Sequence, residues 1–408
     1  MIHINPATPA AGPALLAAAH RPLFLMGAVQ AVLAMLWWGL TLTGRLPAGA
    51  GPAAAAAHGW LMIYGLFPPF VFGFLFTALP NWVNGPRVPA PAYLASALLL
   101  GVGGLLFYPG LYLRPLALLA LGLHAAGWWI ALVALLRVLR ACPAGQDPRQ
   151  PWLAWAAVAL GLPGSLAFAL WLAGGGVLWR TAGMSLGVWG FLTPLFLAVC
   201  HRMLPWFTSR VLANYVIVRP YGPLWGMVGA CLAHAALEIA GLAAWTWLAD
   251  LPLAALAVWF LTRWGIARGL RAERLLAMLH IAFVWAVLAF LLHGLDSLAA
   301  WLGSDWGMGL APLHALGAGF FASMLLAMAS RVSLGHSGRP LKADGLTWGL
   351  FWLVQASALA RMLPDLAAGY GLPWLYYLAA LLWLLAFAAW AWRYAPFYWR
   401  PRADGKPG

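Results

Sequence analysis

Runs of about twenty apolar residues recur from one end of this chain to the other, and that is the length a helix needs to cross a bilayer. Twelve spans are expected: Leu23–Thr43, His58–Leu79, Tyr93–Tyr108, Pro115–Leu136, Trp152–Ala173, Val177–Cys200, Leu224–Leu248, Leu253–Trp264, Leu275–Leu295, Leu310–Ala329, Leu346–Leu363 and Pro373–Trp392. The eighth is short and weakly bounded. Pro or Gly stands at nearly every junction, as suits helix ends joined by short loops. With 64% of its 408 residues hydrophobic and 8% charged, the chain lies outside the balance of soluble domains. The expected fold is all-α: a single polytopic membrane bundle of twelve transmembrane helices over residues 1–408, with short tails at 1–20 and 396–408.

A net charge of +14 would suggest nucleic acid as the partner of a soluble protein. Here the basic residues read as topology. With the N-terminus cytoplasmic, 19 of the 23 Lys and Arg residues fall on the inner side, and only Arg45, Arg114, Arg180 and Arg361 fall outside. That split places both termini in the cytoplasm and makes the span number even; the partner is the lipid bilayer and no nucleic acid. The first twenty residues lack the charged-then-apolar order of a cleaved signal, so the first span is expected to stay in the membrane. Cys142, Cys200 and Cys231 form no CxxC and read as small buried hydrophobes. No GxxxxGK[ST] loop is present, which argues against ATP-driven chemistry.

The even-numbered spans 2, 6 and 10 end alike, each running an aromatic-rich helix into a polar loop containing Arg. Pro80-Asn81-Trp82 has a counterpart in Pro205-Trp206, and Ser209-Arg210-Val211 one in Ser330-Arg331-Val332. Such spacing hints at three four-helix units.

Ten histidines against nine carboxylates is an unusual ratio inside a membrane, where an ionisable side chain is costly and marks function by default. Helix rise sorts them by depth. His58 lies ~33 Å, His293 ~28 Å and His314 ~25 Å from the inner ends of spans 2, 9 and 10, forming an outer layer. His280, ~9 Å up, and His201 beside Arg202 form an inner one. His336 falls in an inner loop, His124 and His234 near mid-membrane, and His3 and His20 in solvent before the first span. His280 and His293 lie on nearly opposite helix faces, so span 9 cannot hold two stacked haems on one side. Neutral imidazole is the commonest metal ligand, and bundle cores build haem sites from facing helices. A single intramembrane His is more often a plain hydrogen-bonding group; three in one layer favour ligation.

Other residues carry two readings each. Glu238, four residues after His234, is the only acid well inside a span; Asp250, Asp296, Asp305 and Asp365 crowd the outer ends. The His234–Glu238 pair suits either a proton relay or a buried hydrogen bond. Met203, Met324 and Met328 can ligate copper or simply pack. Tryptophans near span ends, among them Trp37, Trp38, Trp128, Trp129, Trp390 and Trp392, suit interfacial anchoring.

Five segments resemble the NnrS family of bacterial membrane proteins: HRPLFLMGA, HGWLMIYG…FGFLFTALPNW, HRMLPWFTSR, LHIAFVWAV and, most specific, LHALGAGFF…SRVSLGHSGRPL. The resemblance implies a twelve-span haem- and copper-binding protein of the bacterial inner membrane, tied to nitric oxide metabolism and relief of nitrosative stress. His201, His280, His314 and His336 sit in matching segments. His58 matches the first position of the family's HxHE motif, but Trp60 and Leu61 replace its second His and its Glu. At fold level the chain is also similar to the haem–copper oxidase and nitric oxide reductase subunit, in which outer-layer histidines of spans 2 and 10 hold a haem. It lacks that subunit's adjacent His pair in span 7, and its sixth-span His lies at the inner end.

The leading expectation is a b-type haem held by His58 and His314, with His293 a third ligand or a supporting group. A second, inner site would use His201 and His280, with Arg202 and Arg331 for propionates. No CxxCH is present, so the haem would not be of the covalent c-type. Copper would be an additional metal, nitric oxide or a related small molecule the ligand, and an electron donor a partner if the chain is an NO-linked oxidoreductase. Two rivals stay open. One is a transporter or permease, with Phe67-Pro68-Pro69-Phe70 and Gly174-Gly175-Gly176 as helix breaks. The other is a non-catalytic sensor of NO or metal.

Overall fold

The structure, a computed structural model, describes residues 13–46 and 54–406. His3 and the rest of residues 1–12 lie outside it. Among the described residues eleven helices are long and apolar enough to cross a membrane. They are α1 (His20–Leu42), α2 (Ala54–Val83), α3 (Ala90–Gly110), α4 (Arg114–Arg140), α5 (Arg149–Leu172), α6 (Val177–Val211), α8 (Ala243–Arg263), α9 (Arg274–Trp301), α10 (Ala311–His336), α11 (Gly345–Leu366) and α12 (Trp374–Trp399). The remaining helix, α7 (Tyr221–Ile239), has 19 residues, about 28 Å. Topology makes it a crossing too. Arg21, at the start of α1, donates through Nη1 to the carbonyls of Tyr398 and Arg400 at the end of α12, so both ends share one face. An even number of crossings follows, and the chain is a multi-pass membrane protein.

The α7–α8 boundary differs from the expectation. Gly241 takes φ +76°, and the Leu242 N–H bonds Leu237 O at 2.8 Å while the Gly241 N–H bonds Glu238 O at 3.0 Å. This left-handed cap ends α7 well before Leu248. Helix α8 then starts before Asp250 rather than at Leu253, with Pro252 inside it.

Three four-helix units surround a common axis. Each carries an outer hairpin, α3–α4, α7–α8 and α11–α12, of which the first is the tightest. The units join where α4 meets α5, α8 meets α9, and α12 meets α1. Helices α2, α6 and α10 form the inner ring and are the most enclosed of the spans, as expected of helices apolar on all sides. Phe67, Phe196 and Phe321, one from each, touch at the axis with ring centroids 5.8, 5.9 and 4.9 Å apart. Each inner helix also widens into a π-helical turn: Leu61–Leu66, Leu186–Leu192 and Ala315–Phe321. Pro68, Pro69 and Pro194 follow the first two, and a proline frees a carbonyl that a wider turn accommodates. Thr193 Oγ1 covers one such carbonyl, that of Val188, at 2.7 Å. Beside the Phe triad an apolar cavity of about 70 Å³ is lined by Phe70, Phe196, Met324 and Met328, among others. Met324 and Met328 therefore pack.

Polar groups inside the bundle bridge helices. Gln355 of α11 accepts from Trp285 Nε1 of α9 at 2.6 Å and donates to Ser323 Oγ of α10 at 2.8 Å. Gln355→Leu strands the Trp285 N–H and is expected to lower stability by about 1 kcal/mol, since interhelical hydrogen bonds in membranes are modest. Thermal unfolding in detergent measures this. Adding Trp285→Phe to Gln355→Leu should recover part of the loss, because it removes the stranded donor.

Candidate functional site

The histidines fall into separate groups, each at a junction between helices. The first joins α2 and α10 at the face opposite Arg21. His58 and His314 lie within electrostatic range of each other and of Arg361 in α11. His314 sits in the first turn of α10, where Nδ1 donates to Leu310 O at 2.8 Å. That bond fixes the tautomer, leaving Nε2 with its lone pair, the arrangement that orients metal-ligating imidazoles. His58 stacks on Trp38 of α1 with centroids 4.4 Å apart, and its buried Nδ1 has no partner. Arg361 is held by Asp365 at 2.8 Å and lies 4.6 Å from the Tyr376 ring centroid. Sequence reasoning counted Arg361 only as an outer basic residue. Its i,i+4 spacing to Asp365 was the available signal.

The inner pair is arranged differently. His201 is fully buried, and both its ring nitrogens are engaged: Nδ1 faces the Gln150 side-chain amide, and Nε2 lies 3.0 Å from Pro220 O. With its lone pair taken by Gln150, this ring has no nitrogen left for a metal. His280 packs against Gly269, with Nε2 3.4 Å from Thr208 Oγ1 and Nδ1 unpartnered. The two rings have different neighbours. Arg202 donates to Gln150 Oε1 at 3.2 Å and lies over Trp82. Arg331 pairs with Glu273 at 3.4 Å and lies over Phe207.

His293 does not join His58 and His314. Its ring contacts Trp189 and His234, with centroids 5.1 and 5.6 Å away. His234 in turn bonds Asp250 through Nδ1 at 2.7 Å and faces Glu238 through Nε2 at 3.3 Å. Asp250 stands in the first turn of α8, at a span end as expected, yet is completely buried. Glu238 is the next-to-last residue of α7, which corrects the reading of it as an acid well inside a span. Two further corrections concern the opposite face. His20 is 3% exposed, not solvated, because it packs on His336 with ring centroids 4.5 Å apart. His336 itself is the last residue of α10 rather than part of a loop.

Among the described residues no three His, Cys, Asp or Glu side chains converge in a geometry that would hold a metal ion alone. The NnrS family profile, described as "NnrS protein", matches residues 14–402. The chain belongs to the NnrS family. No curated protein matches it significantly. Within this NnrS chain, Trp60 fills its position by packing on Phe107 and His124, with centroids 4.1 and 5.3 Å away. Leu61 is buried at the start of the π-helical turn. The first group thus brings together two imidazoles from different helices, one with a free lone pair and one with a stranded nitrogen, and a guanidinium.

Proposed function

We propose that this NnrS protein binds a b-type haem through His58 and His314 in the bacterial cytoplasmic membrane, and serves nitric oxide metabolism or the response to nitrosative stress. The orientation follows the basic residues, with the Arg-rich face toward the cytoplasm. The single observation that carries the haem assignment is the His314 Nδ1–Leu310 bond, which commits Nε2 to accepting, next to a second imidazole from another span. Family membership supports the role in nitric oxide chemistry. Bound haem would supply an iron able to take a diatomic ligand or pass an electron. The chain's own contribution is to orient two imidazoles, shield one face with Trp38, and place Arg361 where a propionate carboxylate can pair with it.

Copper has less support, since Trp60 replaces a potential ligand and Leu61 a potential proton acceptor of the family motif, and no three-residue metal cluster is present among the described residues. Purified full-length protein is therefore expected to show a Soret band, stoichiometric iron, and copper well below one equivalent. An optical spectrum with metal analysis tests this. A protein expressed with haem supply and purified colourless and iron-free would overturn the assignment.

A further inference from the structure

The cluster around His234 is not used by the haem reading, and its chemistry is distinct. Helices α6, α7, α8 and α9 each contribute to it. Ser185 Oγ of α6 donates to Glu238 Oε2 at 2.7 Å, and Glu238 Oε1 faces His234 Nε2 at 3.3 Å. His234 Nδ1 meets Asp250 Oδ1 at 2.7 Å. Trp189 stacks flat on the imidazole with centroids 3.7 Å apart, holding the ring between its two carboxyl groups. Glu238 has a third of its side chain exposed (33%), whereas the Asp250 side chain is at 0%. Also facing the cluster are Cys231, His293 and Thr246. Neither carboxylate is paired with Lys or Arg.

Proton count decides what such an arrangement does. A neutral imidazole has one N–H, yet both nitrogens of His234 face carboxyl oxygens. Satisfying both contacts requires at least one more proton, carried either on the ring or on a carboxyl group. Even with the imidazolium formed, two ionised carboxylates leave a net negative charge, which is expensive to bury without a cation. Asp250 Oδ2 is buried with no partner, which makes it the oxygen at which ionisation is least favourable.

We propose that Glu238, His234 and Asp250 form a proton-binding site, open at Glu238 and closed at Asp250, which draws protons from water and stores them inside the bundle. Transfer along it is balanced at each step. An O–H bond of a hydronium ion breaks, leaving water, as Glu238 O–H forms; the Glu238 O–H bond then breaks as His234 Nε2–H forms. The His234 Nδ1–H bond then breaks as Asp250 Oδ1–H forms, and positive charge moves inward with the proton. Ser185 orients Glu238, and Trp189 holds the ring so that both nitrogens stay in line. The three groups titrate as a unit.

Infrared spectroscopy of the full-length protein in liposomes reads the site directly, whether or not haem is bound. Acidification from about pH 9 to about pH 5 is expected to raise a protonated-carboxyl C=O band that shifts in D₂O. Asp250→Asn should remove that band. Glu238→Gln, at the open edge, should keep the band but move its midpoint to lower pH, because a neighbouring negative charge is gone. Melting temperatures check that both variants fold. If Asp250→Asn does not fold, the Glu238→Gln midpoint decides alone. No band in the wild type, a band unchanged in Asp250→Asn, or a Glu238→Gln midpoint that stays put would each overturn the proposal.

Discussion

Replacing His314 with alanine is expected to remove the haem spectrum, and His58→Ala to do the same, while His293→Ala leaves it intact. The contrast follows from placement. His58 and His314 share one junction with Arg361, whereas His293 stands with Trp189 and His234 at another junction between helices. Losing even an outer partner of a ligating His costs about 10–100-fold in metal affinity, so losing an axial ligand should reduce bound haem to a trace at micromolar protein. Imidazole added to His314→Ala should restore part of the Soret absorbance by filling the vacated position, which a merely misfolded variant would not show. His201→Ala gives a further contrast: both nitrogens of that ring are already hydrogen-bonded, so its loss should lower the melting temperature and leave the haem content unchanged. Retention of the full spectrum by both His58→Ala and His314→Ala would remove the pair from consideration.

Much of the fold was legible because bilayer physics writes it into composition. Apolar length located the spans, and Arg asymmetry placed both termini on one side, as the Arg21 contacts with Tyr398 and Arg400 require. The threefold repeat was faintly visible in Pro80 and Pro205, Ser209 and Ser330. The structure adds its cause: three inner helices, each with a π-helical turn, whose phenylalanines meet at one axis. What stayed hidden was non-local. Asp250 is an end residue, in the first turn of α8, but no local pattern shows that His234, 16 positions away, will pair with it and that it will be fully buried. Gln150 lies 51 positions from His201, and no local pattern announces that it will occupy that ring's lone pair. His20 read as solvated because residues near the far end of the chain, which return to cover it, cannot be anticipated from its own neighbours.

Gly103→Leu is expected to abolish the folded protein, and Gly103→Ala to lower its melting temperature clearly. A β-carbon at Gly103 would stand 2.6 Å from Ala120 O and 2.7 Å from His124 N, both backbone atoms of α4. Gly110 is as tight, 2.7 Å from the Cα of Ala117, and Gly127 would meet Leu100 N at 2.8 Å. Ser96, Gly103 and Gly110 recur every seven residues along one face of α3, and Ser96 Oγ bonds Gly127 O at 2.9 Å. The α3–α4 hairpin is thus in backbone contact over its length, the way small residues let membrane helices approach when lipid offers no hydrophobic drive. Overpacking a core ordinarily costs about 1–3 kcal/mol because side chains can shift; here the opposing atoms are main chain, and only separation of the two helices relieves the clash. Gly122, on the same hairpin with nothing within 4 Å, supplies the control. Gly122→Ala should be neutral or slightly stabilising, since alanine is the better helix former by about 1 kcal/mol. Size-exclusion profiles and thermal unfolding compare the three variants. A Gly103→Leu protein as stable as the wild type would mean that α3 and α4 are not in backbone contact.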